Sequence, residues 1–155
     1  MQQPVFLTAE GIEELRRELD HLVNVRRPEL ARTLRRAIQQ GDLSENADYI
    51  AAKEEQAFLE GRIQQIEVML RNAVLIQNSG PAGVADLGSR VTVLEEGQET
   101  PEVFQIVGPA EADPLNGKVS YESPLGQALL GRRAGDVVTV NAPAGPITFR
   151  VLEVS

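Results

Sequence analysis

Gly41-Asp42-Leu43-Ser44-Glu45-Asn46-Ala47-Asp48-Tyr49 is a polar stretch between two long segments of nearly equal length, both with helical periodicity. Upstream, Thr8 suits the N-cap of a helix running to about residue 40. Leu15, Leu19 and Leu22 step by four and three, the spacing of an apolar seam, and Leu30, Leu34 and Ile38 continue the stripe. Pro28 falls inside this segment and predicts a bend over residues 24–27, because proline removes a helical hydrogen bond. Gly41 suits the helix C-cap. Downstream, a second helix begins near Ser44 or Asn46 and is expected to reach about residue 78, with Leu59, Ile63, Ile66, Leu70 and Ala73 as its seam. Ala47, Ala51 and Ala52 permit close approach of the two helices. A short connection makes them antiparallel neighbours. At ~1.5 Å per residue, arms of roughly 30 residues span about 45 Å. The turn between them offers two carboxylates, Asp42 and Glu45, at the tip of a rod.

The helical period ends at the Gly- and Pro-containing stretch 78–83, which marks a domain boundary. Beyond it the pattern is that of strands, at 90–94, 102–107, 118–121, 136–140 and 148–154. Ser123-Pro124 reads as the N-cap and first residue of a short helix ending at Gly131. The expected fold is α+β. A coiled-coil hairpin over 1–78 has an acidic tip at 41–46. A linker at 79–84 leads to a small antiparallel sheet domain with a short helix over 85–155.

The 155 residues are 42% hydrophobic but only 4% aromatic, so the core must be mainly aliphatic. With no cysteine there is neither a disulfide framework nor thiol chemistry. The start, Met1-Gln2-Gln3-Pro4-Val5, lacks the basic and apolar regions of a signal peptide. No apolar run approaches the ~20 residues of a membrane span, so a cytoplasmic protein without membrane contact is expected. The net charge of −8 argues against a conventional nucleic-acid binder. The distribution is uneven, however. Residues 1–40 hold seven arginines against six acids, and Arg26, Arg27, Arg32, Arg35 and Arg36 approach the acidic turn.

Two carboxylates three residues apart can converge on one hard cation. Mg²⁺ accepts one or two protein carboxylates and keeps several waters. Such a pair would complete a site whose other ligands come from a partner, as in two-metal phosphoryl transfer. The spacing equally fits a solvated turn whose acids favour a helix N-terminus. An EF-hand starting at Asp42 is excluded, because Ala47 and Lys53 stand where glycine and an acid are required. Arg35, Arg36 and Lys53 could hold a phosphate backbone near the acids, or form a solvated, ion-paired face. His21, the only histidine, has no second ligand to join it and reads as a surface or seam residue. Tyr49 serves hydrogen bonding or packing near the tip equally well. Phe58 is expected in the seam or an interface. No P-loop, Rossmann or nucleophile motif is present.

The stretch from Gly41 to Tyr49, continued by Ala51-Ala52-Lys53-Glu54-Glu55-Gln56, resembles the signature of the GreA family of bacterial transcript cleavage factors. The resemblance extends over nearly the whole chain. It includes Leu7-Thr8, Val25-Arg26-Arg27-Pro28-Glu29, Glu60-Gly61-Arg62-Ile63, Val91-Thr92-Val93-Leu94, Ile106-Val107-Gly108, Ser123-Pro124-Leu125 and Gly135-Asp136. It implies that the coiled coil enters the secondary channel of RNA polymerase. There Asp42 and Glu45 would help hold a second Mg²⁺ shared with the polymerase and orient the attacking water. Backtracked RNA would then be hydrolysed at its 3′ end by the polymerase's own active site, the factor being no enzyme itself. By the same resemblance Arg35, Arg36 and Lys53 are the RNA-contacting candidates. The C-terminal domain would be FKBP-like and dock on the polymerase through Glu122, Ser123 and Pro124. A monomer that binds no metal tightly on its own is expected.

One departure bears on activity. Many family members carry Ala-Arg four and three residues before Gly-Asp, where this chain has Ala37 and Ile38. That keeps open a relative that occupies the channel and inhibits without efficient cleavage. Intact Asp42 and Glu45 favour cleavage. A prolyl isomerase would need an aromatic-lined pocket, and residues 81–155 contain only Phe104, Tyr121 and Phe149. A purely structural coiled coil would be indifferent to charge reversal at the tip.

Overall fold

Thirteen residues of α-helix, a wide π-helical turn and thirteen more residues of α-helix make up the first arm of a helical hairpin. These are α1 (Ala9–His21), the π turn (Leu22–Arg26) and α2 (Arg27–Gln39). The second arm is α3 (Ala47–Arg71). The computed structural model describes residues 3–41, 46–77 and 80–155. The chain divides into two compact units, Ile12–Asn72 on one side and Met1–Gly11 with Ala73–Ser155 on the other.

In the helical unit the expected seam is in place. Leu30, Ala52, Leu59 and Ile63 are buried together, with Leu19, Leu22, Val23 and Leu34 packed against them. The π turn falls where Pro28 had predicted a bend. The Arg27 N–H donates to the Leu22 carbonyl five residues back. Pro28 sits in the first turn of α2, where a missing N–H is tolerated. Two expectations are corrected. Phe58 is not in the seam: it is 79% exposed, because its neighbour Leu59 takes the inward position. Ile38, expected on the apolar stripe, is half exposed, and Ala37 is buried in its place.

The second helix also ends earlier than its period suggests. Asn72 closes it, and Ala73 lies not on a helical seam but in β2 (Ala73–Leu75), which pairs in parallel with β1 (Val5–Leu7). The rest of this unit is a five-stranded sheet of order β5-β4-β3-β7-β6. Its strands are β3 (Arg90–Glu95), β4 (Glu102–Val107), β5 (Lys118–Ser120), β6 (Val137–Ala142) and β7 (Gly145–Val154). All neighbours are antiparallel except β4 and β5, so the sheet is mixed rather than wholly antiparallel. Strand alternation sends Val91, Val93, Val138, Val140, Phe149 and Val151 into one core with Ile106 and with Leu129 of α4 (Pro124–Leu129).

The start of α1 is fastened to this unit by one carboxylate. The Thr8 hydroxyl accepts from Gly11 N–H (3.0 Å), the expected N-cap bond. Glu111 then accepts from both the Thr8 N–H (2.9 Å) and the Thr8 hydroxyl (2.6 Å). A glutamate that satisfies the N-cap N–H usually comes from the third helical position; here it comes from a separate turn, Pro109–Glu111. Gly11 occupies that third position, and a Cβ there would collide with the Glu111 carboxylate.

Candidate functional site at the end of the hairpin

The two helix ends that flank the acidic turn are closed by identifiable bonds. Gly41 has φ +114°, a conformation glycine adopts freely, and its N–H donates to the Ile38 carbonyl (3.4 Å). Asn46 works in two directions. Its side-chain oxygen accepts from Tyr49 N–H (3.0 Å), capping α3, and its amide nitrogen donates to the Ala37 carbonyl of α2 (2.6 Å). The cap was legible in the sequence; the bond to Ala37, which clasps the two arms, has no local signal. Asp42 and Glu45, the candidate metal ligands, lie outside the described residues.

Arginine–carboxylate pairs bridge the two arms behind this end. Arg26 reaches Glu55 (3.3 Å), Arg27 reaches Glu60 (2.7 Å), and Arg62 donates through Nε and Nη2 to both oxygens of Glu18 (2.7 and 2.8 Å). The bidentate hydrogen bond from Arg62 holds the Glu18 carboxyl below the usual carboxylate range, against the desolvation that would raise it. The same bond raises the Arg62 guanidinium. Arg26 and Arg27 therefore serve the scaffold.

The three predicted RNA-contacting residues remain on the surface. Arg35 is exposed on α2 and has no ion pair among the described residues. Arg36 donates to the Thr33 hydroxyl (3.3 Å), and Lys53 to Gln56 (2.9 Å). Arg36 also lines an open groove of about 350 Å³ between α2 and α3, which it shares with Gln40, Asp48 and Glu55. Asp48 and Glu55 were not singled out by sequence reasoning, since their charges look like those of any solvated helix. Lys53 does not line this groove. Among the described residues no three His, Cys, Asp or Glu side chains are gathered as a metal site, and no helix is long and apolar enough to cross a membrane.

In the sheet unit, Glu122 and Pro124 are exposed. Ser123 caps α4 as expected: its hydroxyl accepts from Gly126 N–H (3.1 Å) and donates to the Ser120 carbonyl (2.7 Å).

Two family models match the chain end to end. Residues 5–75 match "Transcription elongation factor, N-terminal", and residues 80–155 match "Transcription elongation factor, GreA/GreB, C-term". The transcription elongation factor GreA of Thermoanaerobacter pseudethanolicus is 47% identical over 99% of both chains. That of Bacillus subtilis is 44% identical over the same share. Among solved structures, GreA factor homolog 1 of Thermus thermophilus aligns over 99% of both chains at 35% identity, with a TM-score of 0.45. With both halves matched and near-half identity along its full length, the chain belongs to the GreA/GreB family of transcription elongation factors.

Proposed function

We propose that this elongation factor acts as a cytoplasmic monomer that binds bacterial RNA polymerase, inserts the hairpin into its secondary channel and stimulates hydrolysis of backtracked nascent RNA. The observation that carries the reading is the site of the acids in a family member. Asp42 and Glu45 fall between a glycine C-cap at Gly41 and an asparagine N-cap at Asn46, each bonded back to α2. Two carboxylates are hard oxygen donors suited to Mg²⁺, but too few to hold it alone, so a partner must supply further ligands. When bound, the ion would activate water and stabilise the attacking oxygen.

The protein's own residues have simpler tasks. Asp42 and Glu45 supply negative charge and accept hydrogen bonds, which orients a water. Arg35, Arg36 and Lys53 neutralise RNA phosphates along the exposed surface. Their present partners, a hydroxyl and an amide, are neutral, so each keeps its full charge for a phosphate. Both hydrogen-bonding roles of the Ser123 hydroxyl are used inside the fold. Docking at that loop therefore falls to the Glu122 carboxylate and the Pro124 ring, with Ser123 setting their geometry.

The half-exposed Ile38, at a position that is often basic in the family, favours one second reading: a factor that occupies the polymerase channel and cleaves poorly. The deciding measurement is RNA 3′-end cleavage in backtracked elongation complexes with Mg²⁺. Cleavage by the parent should fall by about 100-fold or more in Asp42→Ala/Glu45→Ala, the order expected for a disrupted metal site, while binding to polymerase survives. Binding without cleavage by the parent would establish the inhibitor instead.

A further inference from the structure

The outward face of α3 differs from the rest of the helical unit. Ile50, Glu54, Ala57, Phe58, Gly61 and Val68 recur at helical spacing and are all exposed, with Glu54 the only charge among them. Phe58 is 79% exposed and Ile50 48%. Gly61 stands in mid-helix although glycine is among the poorest helix formers. Nothing lies within 4 Å of where its Cβ would be, so no contact inside the protein explains it. A large exposed aromatic beside an unexplained glycine is the relief of a contact surface: a knob, and a flat place where another backbone can come close.

Charge decides what kind of partner fits. An RNA would seat on Arg32, Arg35 and Arg36, not on a face with one carboxylate and no cation. Area decides against a second copy of this chain. A helix of 25 residues offers a strip about 37 Å long and about 10 Å wide. That is about half of the ~800 Å² per partner that a stable interface needs. The strip suits a partner that also holds the protein elsewhere.

We propose that the outer face of α3, centred on Phe58 and Gly61, is a protein-docking surface that seats against an apolar patch of the RNA polymerase wall. This rests on the functional reading above and adds a contact that neither acids nor arginines supply. The chain has no cysteine, so Ser155→Cys gives a single site for a fluorophore. Titration with polymerase elongation complexes then reads Kd. Phe58→Ala should keep the melting temperature, since the ring is exposed, and raise Kd about tenfold. Phe58→Gln should do the same. Gly61→Ala should raise the melting temperature by about 2 °C and still weaken binding, because its methyl occupies the space the partner needs.

Kd values within twofold of the parent for both Phe58→Ala and Gly61→Ala would overturn the proposal while leaving the functional reading intact. A parent that does not bind polymerase would overturn both. Loss of a dimer in Phe58→Ala by sedimentation would assign the face to self-association and overturn it as well.

Discussion

The two units of this protein are held together by different means. The sheet unit buries Val91, Val93, Ile106, Leu129 and Val151 completely, in a core closed on all sides. The helical unit has a narrow seam of Leu30, Ala52, Leu59 and Ile63, and its edges are laced by three arginine–carboxylate pairs between the arms. An arm meant to enter a confined space cannot be thick. A hairpin two helices wide leaves every seam residue close to solvent, so cross-arm hydrogen bonding takes over part of the work that a deep core does in the sheet unit.

The sharpest test of this contrast is to make the same cavity in both units. Ile106→Ala should destabilise the sheet unit by about 4 kcal/mol, and Ile63→Ala the hairpin by only about 2 kcal/mol, because a site near solvent collapses more easily. Circular dichroism distinguishes the units by their helix and strand signals; equal losses would break the contrast. Next in size is the Glu111 anchor. Glu111→Ala removes the acceptor for both the Thr8 N–H and the Thr8 hydroxyl and should cost about 2 kcal/mol. Hydrogen exchange of the Thr8 and Gly11 amides should speed up with it, and unchanged protection would show that water replaces the carboxylate without loss.

The smallest effect is that of pH on the hairpin. The folded Glu18 carboxyl lies below its unfolded range, so its pairing with Arg62 stabilises at any pH above about 4.3. That contribution is lost as the pH falls through the lower folded value. Both side chains are 39% exposed, so screening limits it to about 0.5–1 kcal/mol. Glu18→Gln should flatten the pH dependence of hairpin melting below pH 4.5 relative to the parent. If the two curves keep the same slope, other carboxylates dominate.

The hairpin was legible in the sequence because its determinants are local: a Thr8 cap, a glycine at residue 41, an asparagine at residue 46 and a three–four apolar step in α3. The strands were legible for the same reason, through alternation. What stayed hidden is non-local. Three residues of β1 pair with three of β2 across most of the hairpin's length of sequence, and no periodicity announces so short a strand. Glu111 caps a helix that begins 103 residues earlier. Phe58 was misread because apolar character predicts burial, and the seam had already been filled by its neighbour. The acids of the candidate site could be named from the sequence and their flanking caps seen in the fold. What surrounds them in action belongs to a partner, which no single chain encodes.

The π turn gives the first arm something like a reading frame. An α-helix has a phase, and a single extra residue accommodated in a wide turn is an insertion that the helix has absorbed without losing that phase on either side. Deleting one residue from Leu22–Arg26 would return the segment to regular α-helix and turn everything before it by about 100°. Leu19 would then leave the seam, and Glu18 would no longer meet Arg62. Substitutions along this arm can therefore accumulate one at a time, whereas a change of length at these five positions has to be answered by a compensating one.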